Sequence, residues 1–363
     1  MRILYITTVG MTMRFFQSFI SELCKEGHTV DIACSDTESI PEYYKKEKFK
    51  IYRLSCSRSP FNFGNVRAIR EIRMIVRKNQ YDIVHCHTPV AAACTRLACR
   101  PLRKKMALRV FYTAHGFHFC TGAPKKNWIV YYPIEKWLSR YTDVLITINK
   151  EDYRRARNRF DAKSIVYIPG VGIDTKRFEM AHDGDRIRRE LNIEEESIML
   201  LSVGELNENK NHEVVIRALA KLPSTIMYVI VGEGEKKEYL AELAGDFHLR
   251  ERVILSGFRK DVEDFYDAAD VYVLPSLREG LNVSLMEAMA SGLPCVVGEI
   301  RGNTDLITDK RCVFCPRDED ALITAMEYCL GKNKKDIIDG NLIRIKIFDK
   351  VNVHSSLRRI YEV

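Results

Sequence analysis

Two carboxylates, Glu279 and Glu287, stand eight residues apart in the run Glu279-Gly-Leu-Asn-Val-Ser-Leu-Met-Glu-Ala-Met-Ala-Ser-Gly292. Upstream, Asp270-Val-Tyr-Val-Leu-Pro-Ser276 reads as a short buried strand that breaks at Pro275. A loop that then turns into a helix near Asn282 or Ser284 aims unpaired N–H groups and the positive end of the helix dipole at one spot. Gly280 lets the backbone come close to a ligand there. Such a spot suits an anionic diphosphate. Glu279 at the loop tip can accept hydrogen bonds from hexose hydroxyls, Glu287 two helical turns on can reach a ribose, and Leu281 and Asn282 lie in the loop between. Plain helix chemistry is the alternative, with Glu287 a surface charge and Gly292 a helix stop.

Lys210 follows Gly204-Glu-Leu-Asn-Glu-Asn just before a helical pattern, so its ammonium could neutralise a departing diphosphate. The competing reading is an exposed lysine at a helix start. His115 comes directly after the strand pattern Arg109–Thr113, at its carboxyl edge, where a neutral imidazole can hold a hydroxyl or share its proton. His118 could do the same, while His85 and His87, ending the strand Ile83–Cys86, read as core or rim residues.

The elements that must carry these residues alternate along the chain. Ile3–Thr7, Thr29–Cys34, Ile83–His85, Val110–Thr113 and Val144–Ile148 read as strands between amphipathic stretches, the pattern of a parallel, doubly wound α/β sheet. Ligands of such sheets bind beyond the carboxyl ends of the strands. A Pro/Gly-rich junction, Ile168-Pro-Gly-Val-Gly-Ile173, interrupts the alternation, which restarts at Ile198–Val203. The expected division is a domain over 1–172, a second over 173–345, and a last amphipathic helix within 346–363.

The length of 363 residues suits two α/β domains. No apolar run reaches the roughly 20 residues of a membrane-spanning helix, and Met1–Gly10 reads as a buried first strand rather than a signal segment. Eleven cysteines without paired spacing argue for a reducing compartment, and Cys312-x-x-Cys315 for a pair of buried thiols. Asp183-Gly-Asp185 and Asp318-Glu-Asp320 each precede a helical pattern and read as caps rather than metal ligands.

The net charge of +8 is unevenly spread: residues 1–172 hold 30 Lys and Arg against 14 Asp and Glu, a balance of +16, and residues 173–363 balance at −8. A basic half attracts nucleic acid, anionic lipid or a phosphorylated substrate. No helix-turn-helix, RNP-like or zinc pattern supports nucleic acid. Ala91–Arg109, with Arg103, Lys104 and Lys105, and Gly122–Leu138, with Trp128, combine cations and aromatics as a lipid headgroup interface does. Amphipathic helices over a sheet look much the same.

The Glu279-x7-Glu287 run resembles the signature of the family 4 retaining glycosyltransferases. Val203-Gly-Glu-Leu206 leading to Lys210-Asn211, Tyr228–Gly234, Ser256-Gly-Phe-Arg259 and Gly298–Leu306 are similar to further blocks of that family. His115-Gly-Phe-His118, Gly122–Trp128, Tyr131–Glu135 and Leu145–Asn149 resemble the subgroup that builds bacterial capsular and exopolysaccharide repeat units. The resemblance implies a GT-B fold: two Rossmann-like domains with a cleft between them and a C-terminal helix returning to the first domain. It implies a UDP-sugar donor, retention of configuration, no cofactor and no catalytic metal.

By the same resemblance, Gly10, Gly204, Glu205, Lys210, Gly257, Phe258, Arg259, Glu279, Gly280, Leu281, Asn282 and Glu287 face the donor. His115, Lys210 and Glu279 are the catalytic set, and His115 contacts the transferred sugar. Where the family commonly has Arg as a second phosphate ligand, this sequence has Glu205. Lys210 then carries the charge alone, Arg278 or Arg301 substitutes, or Glu205 positions Lys210 through an ion pair. The implied acceptor is a polyprenyl-diphosphate-linked saccharide, met at the anionic cytoplasmic face of the plasma membrane by Arg103, Lys104, Lys105 and Trp128. The rival readings are a non-hydrolysing UDP-sugar epimerase and a nucleic-acid-binding module.

Overall fold

A computed structural model describes residues 1–47, 49–180 and 182–362 of the chain. It divides into two compact units, Met1–Val171 and Gly172–Val363.

The first unit is a seven-stranded sheet built from β1 (Arg2–Ile6), β2 (Thr29–Cys34), β3 (Ile51–Arg53), β4 (Ile83–His87), β5 (Arg109–Ala114), β6 (Val144–Thr147) and β7 (Ser164–Tyr167), in the order β3-β2-β1-β4-β5-β6-β7. All pairs are parallel. Parallel strands are covered on both faces, which is why they read as continuous apolar runs: Leu4, Ile6, Val84 and Val110 are fully buried. The order reverses between β1 and β4, so the residues following these strands line the switch point where doubly wound sheets bind ligands.

The second unit repeats the plan with six strands: β8 (Ile198–Val203), β9 (Ile226–Val231), β10 (Val253–Gly257), β11 (Val271–Leu274), β12 (Cys295–Gly298) and β13 (Val313–Phe314), ordered β10-β9-β8-β11-β12-β13. All pairs are again parallel. Its switch point lies between β8 and β11. The strand read as breaking at Pro275 does so, ending at Leu274.

Gly172 opens this unit at φ +84, and a Cβ there would lie 2.8 Å from Lys350 Cα. The approach is close because Ile173 exchanges backbone hydrogen bonds with Phe348 and Lys350, at 3.0 and 2.8 Å. The last helix, Lys350–Glu362, therefore starts from the junction. The Asp-rich runs cap helices as expected: Asp183 accepts from the Arg186 amide, and Asp318 from those of Asp320 and Ala321.

Candidate functional site

At the second unit's switch point, β8 runs into Gly204 and then a short turn, Glu208–Lys210. Asn207 caps the turn by accepting from the Lys210 amide at 3.1 Å. Asn209 and Asn211 stitch the turn to the end of β11: the Leu277 amide donates to Asn209 O at 2.8 Å, and Asn211 Nδ2 donates to Pro275 O at 3.1 Å. This brings Lys210 Nζ to 2.7 Å from Glu279 Oε1, across 69 residues of sequence. The ammonium chain lies over Gly204, where a Cβ would stand 3.1 Å from Lys210 Cε.

The loop carrying Glu279 is held from a second side. Arg301 Nε donates to the Glu279 carbonyl at 3.1 Å. Gly302, at φ +81, lies so close to Gly280 that a Cβ would meet Gly280 O at 2.1 Å. The helix Val283–Ala290 then begins on Asn282, whose side chain accepts from the Leu285 amide. One face later, Glu287 Oε2 accepts from Tyr266 Oη at 2.8 Å. Burial, with Glu287 nearby, drives the Tyr266 hydroxyl well above its ordinary pKa, so it remains a proton donor. At the end of β10, Gly257 adopts φ +71 and Phe258 is 67% exposed. The Lys210 ammonium and the start of the helix Val283–Ala290, with carboxylates on either side and an exposed aromatic at the rim, suit a nucleoside diphosphate joined to a sugar.

Two expectations for this side change. Glu205 does not pair with Lys210; its carboxylate accepts from Asn207 Nδ2 at 3.0 Å, and Glu279 supplies the ion pair instead. Arg259 is not free for a donor: its guanidinium bonds Asp261 and Glu190 and lies over the Phe265 ring. That network laces two helices of the unit together and leaves the 257–260 segment its main chain and Phe258 as ligand groups.

At the first unit's switch point, His85 and His87 end β4 and His115 follows β5. His85 Nε2 is 2.8 Å from Thr113 Oγ1, and His87 Nδ1 is 3.1 Å from His115 Nε2. Phe16 stacks on His87 with centroids 4.0 Å apart, and Tyr5 stacks at 5.5 Å. Burial lowers all three imidazoles, His115 to about 4 and His85 to about 3, so each is neutral near pH 7. Gly10 starts the turn Gly10–Phe16 beyond β1, where a Cβ would meet Asp36 O at 2.2 Å. His118 is stacked on Tyr131.

The basic and aromatic residues assigned to the acceptor are largely consumed within this unit. Arg103 is ion-paired to Asp143, Arg96 is buried against Glu135, and Trp128 packs on Phe119 and Tyr132 under the Arg155 guanidinium. These residues hold helices onto the sheet, which is how cations and aromatics interleave in any helix over a sheet. Lys104 and Lys105 are exposed, but they precede β5 and so stand at its amino edge, about 20 Å of strand from His115. The Cys312 thiol lies 3.5 Å from Cys329 rather than beside Cys315, which is exposed. Tyr266 and Thr88 carry no functional signal in the sequence, whereas Arg301 does as a candidate second cation. A buried tyrosine in a helix that also carries Glu263, Asp264 and Asp267 gives no spacing signal that announces a carboxylate 21 residues away.

The comparisons with known proteins agree with this geometry. Residues 183–337 match the family described as glycosyl transferases group 1, and residues 2–149 the family described as glycosyl transferase 4-like. EpsD of Bacillus subtilis (strain 168), named as a glycosyltransferase, is 39% identical over 85% of this chain and 81% of its own. The chain is a group 1, family 4 glycosyltransferase. This glycosyltransferase is also 27% identical, over 94% of its length and 90% of the relative's, to the Escherichia coli UDP-Gal:α-D-GlcNAc-diphosphoundecaprenol α-1,3-galactosyltransferase. Its fold is that of Anabaena HepE, crystallised with UDP and glucose: TM-score 0.82 at 17% identity, covering 100% of this enzyme and 99% of HepE. The enzyme therefore has the GT-B fold of a retaining, metal-independent family.

Proposed function

We propose that the enzyme transfers a hexose or N-acetylhexosamine from a UDP-sugar, with retention, to a polyprenyl-diphosphate-linked saccharide in the assembly of a capsular or exopolysaccharide. The observation that carries this reading is the Lys210–Glu279 pair at the switch point, with Glu287 on the following helix. Lys210 neutralises the leaving β-phosphate and Glu279 holds the sugar hydroxyls. Glu287, oriented by Tyr266, takes the ribose. Arg301, already on the Glu279 loop, is placed to supply the second cation that Glu205 does not. The names of the E. coli relative and of HepE support a UDP donor, and the former supports the lipid-diphosphate acceptor.

The transfer proceeds on one face of the sugar. The bond from the anomeric carbon to the UDP oxygen breaks, the acceptor oxygen bonds the same carbon from the same side, and the acceptor's hydroxyl proton goes to the departing phosphate oxygen. The two carboxylates are then ligands and not a nucleophile with its acid, unlike the pair in retaining glycoside hydrolases.

A lipid-linked acceptor requires the first unit to meet a bilayer. Among the described residues no helix is long and apolar enough to cross a membrane. Instead the loop after β3 exposes Phe61 and Phe63 at 79% and 92%, and Val66 follows on the helix Gly64–Asn79 with exposed Arg67 and Arg70. This patch lies at the carboxyl edge of the sheet, the edge that carries His87 and His115. Apolar and basic side chains together there fit an anionic membrane surface on the cytoplasmic side.

The deciding experiment supplies UDP-sugars with polyprenyl-diphosphate-sugar acceptors and reads UDP release and product mass. Release only with acceptor, and an α-linked product from an α-donor, fits the proposal. UDP-sugar isomers formed without acceptor would instead make the enzyme an epimerase.

A further inference from the structure

We propose that His87 is a positioning residue that fixes His115 in its Nδ1–H tautomer, so that His115 meets a ligand as a hydrogen-bond donor and not as a base. One hydrogen bond joins the two rings, His87 Nδ1 to His115 Nε2 at 3.1 Å. Both rings are neutral, so one nitrogen donates and the other accepts. The other nitrogen of His87, Nε2, is buried and has no hydrogen-bond partner. If His115 donated, that orphan would be an N–H; if His87 donates, it is a bare lone pair.

A buried donor without an acceptor is the rarer and costlier defect. Nor can the rings around His87 relieve an N–H. Phe16, Tyr5 and His85 lie against it at interplanar angles of 25°, 17° and 35°, so a bond in the imidazole plane points squarely at none of these π faces. His87 therefore carries its proton on Nδ1 and donates, His115 Nε2 accepts, and the His115 proton sits on Nδ1.

The backbone beside His87 is held as a device of this kind requires. Thr88, β-branched, adopts φ +61, a conformation such residues rarely accept. Its hydroxyl lies 2.6 Å from the His87 carbonyl and 2.8 Å from Thr8 Oγ1, and accepts from the Thr8 amide at 3.1 Å. The loop after β1 thus clamps the end of β4 and keeps His87 in register with His115 across the switch point.

Resting on the reading of His115 as the sugar contact, the inference gives that contact a polarity. His115 donates to a hydroxyl oxygen of the transferred sugar, and a donor sugar lacking that oxygen loses the bond. Full-length enzyme labelled with ¹⁵N-histidine, with His115 assigned by comparison with His115→Gln, tests the tautomer directly. His115 should show protonated Nδ1 and unprotonated Nε2. His87→Asn keeps a donor close to the old Nδ1, so it should retain that pattern and keep kcat within about threefold. His87→Phe should average the tautomers and lower kcat at least tenfold while leaving UDP affinity unchanged.

A protonated Nε2 on wild-type His115 overturns the proposal, as does a His115 pattern unchanged in His87→Phe. If the tautomer and its dependence on His87 hold but kcat is indifferent to both variants, positioning stands and the sugar-contact reading falls.

Discussion

Lys210 Nζ and Glu279 Oε1 lie 2.7 Å apart, with about one-seventh of each side chain exposed. The two groups expected to serve opposite parts of a donor, its diphosphate and its sugar, are thus held against each other without one. An ion pair this largely buried loses about as much to desolvation as it gains from attraction, so its consequence is geometric: each side chain keeps the other on the ligand side of Gly204. Lys210→Ala should lower kcat/KM by about 3–4 kcal/mol, the scale for one preorganised charge-stabilising group. Glu279→Ala should also lower it steeply, and the double variant should lose clearly less than the sum of the two. Additive losses in steady-state kinetics would show that the residues act independently. EDTA should leave turnover unchanged.

Glu287 and Glu279 should differ in kind. Calorimetry with UDP alone reads the ribose contact without the sugar, so Glu287→Ala should weaken UDP at least tenfold and Glu279→Ala by less than about threefold. Tyr266→Phe removes the hydroxyl that orients Glu287 at 2.8 Å and should cost UDP about 1 kcal/mol. Equal loss in all three variants would remove the division of labour between the carboxylates.

Membrane attachment should follow the exposed carboxyl-edge patch and not the Arg103–Lys105 run. Each cation near an anionic surface contributes about 1 kcal/mol at low salt. Phe61 and Phe63 changed together to Ser should release the enzyme from anionic vesicles in sedimentation, while Lys104 and Lys105 changed to Ser should leave it bound. Turnover on a short water-soluble acceptor should survive in the Phe variant. Release by the Lys pair instead would return the docking surface to the amino edge.

Strand positions and the donor loop were legible because they depend on local rules: apolar runs for two-sided burial, Pro275 as a breaker, and Asn282, Asp183 and Asp318 as caps. The short edge strands Ile51–Arg53 and Val313–Phe314 gave no such pattern, since three and two residues are too few for periodicity. Charge partners were not legible. The sequence offered Lys210 only Glu205, five residues away, as an ion-pair partner, and the stitching of Asn209 and Asn211 to the end of β11 gives it Glu279 instead. The partners of Arg103 and Trp128 were hidden for the same reason, because composition says how many cations and rings a segment holds but not which already pair with Asp143 or pack on Phe119. His87, read as core or rim, is buried as a core residue is, yet its partner is His115.

Four imidazoles that desolvation keeps neutral, those of His85, His87, His115 and His212, give the fold an acid edge. Burial lowers His115 to about 4 and His85 and His212 to about 3, and holds His87 well below its ordinary value. An unfolded histidine takes up its proton near pH 6.5. Between about pH 6.5 and 4 the unfolded chain therefore binds protons that the folded chain refuses, and stability falls as pH falls, by about 1.4 kcal/mol per pH unit for each such histidine. Carboxylates work in a lower window. Asp261, held well below the ordinary carboxylate range chiefly by its hydrogen bond from Arg259, contributes stability above its unfolded value that is lost only below about pH 4. Urea unfolding should accordingly show a midpoint that is flat above pH 7 and drops between 6.5 and 4.5. His212 belongs to the second unit alone, its Nδ1 2.9 Å from Tyr228 Oη. His212→Asn, which keeps a polar atom near that position, should flatten the slope for that unit by about one proton whatever it does to the midpoint at pH 7.5. An unchanged slope would mean that His212 titrates alike in both states and that its burial does not exclude the proton.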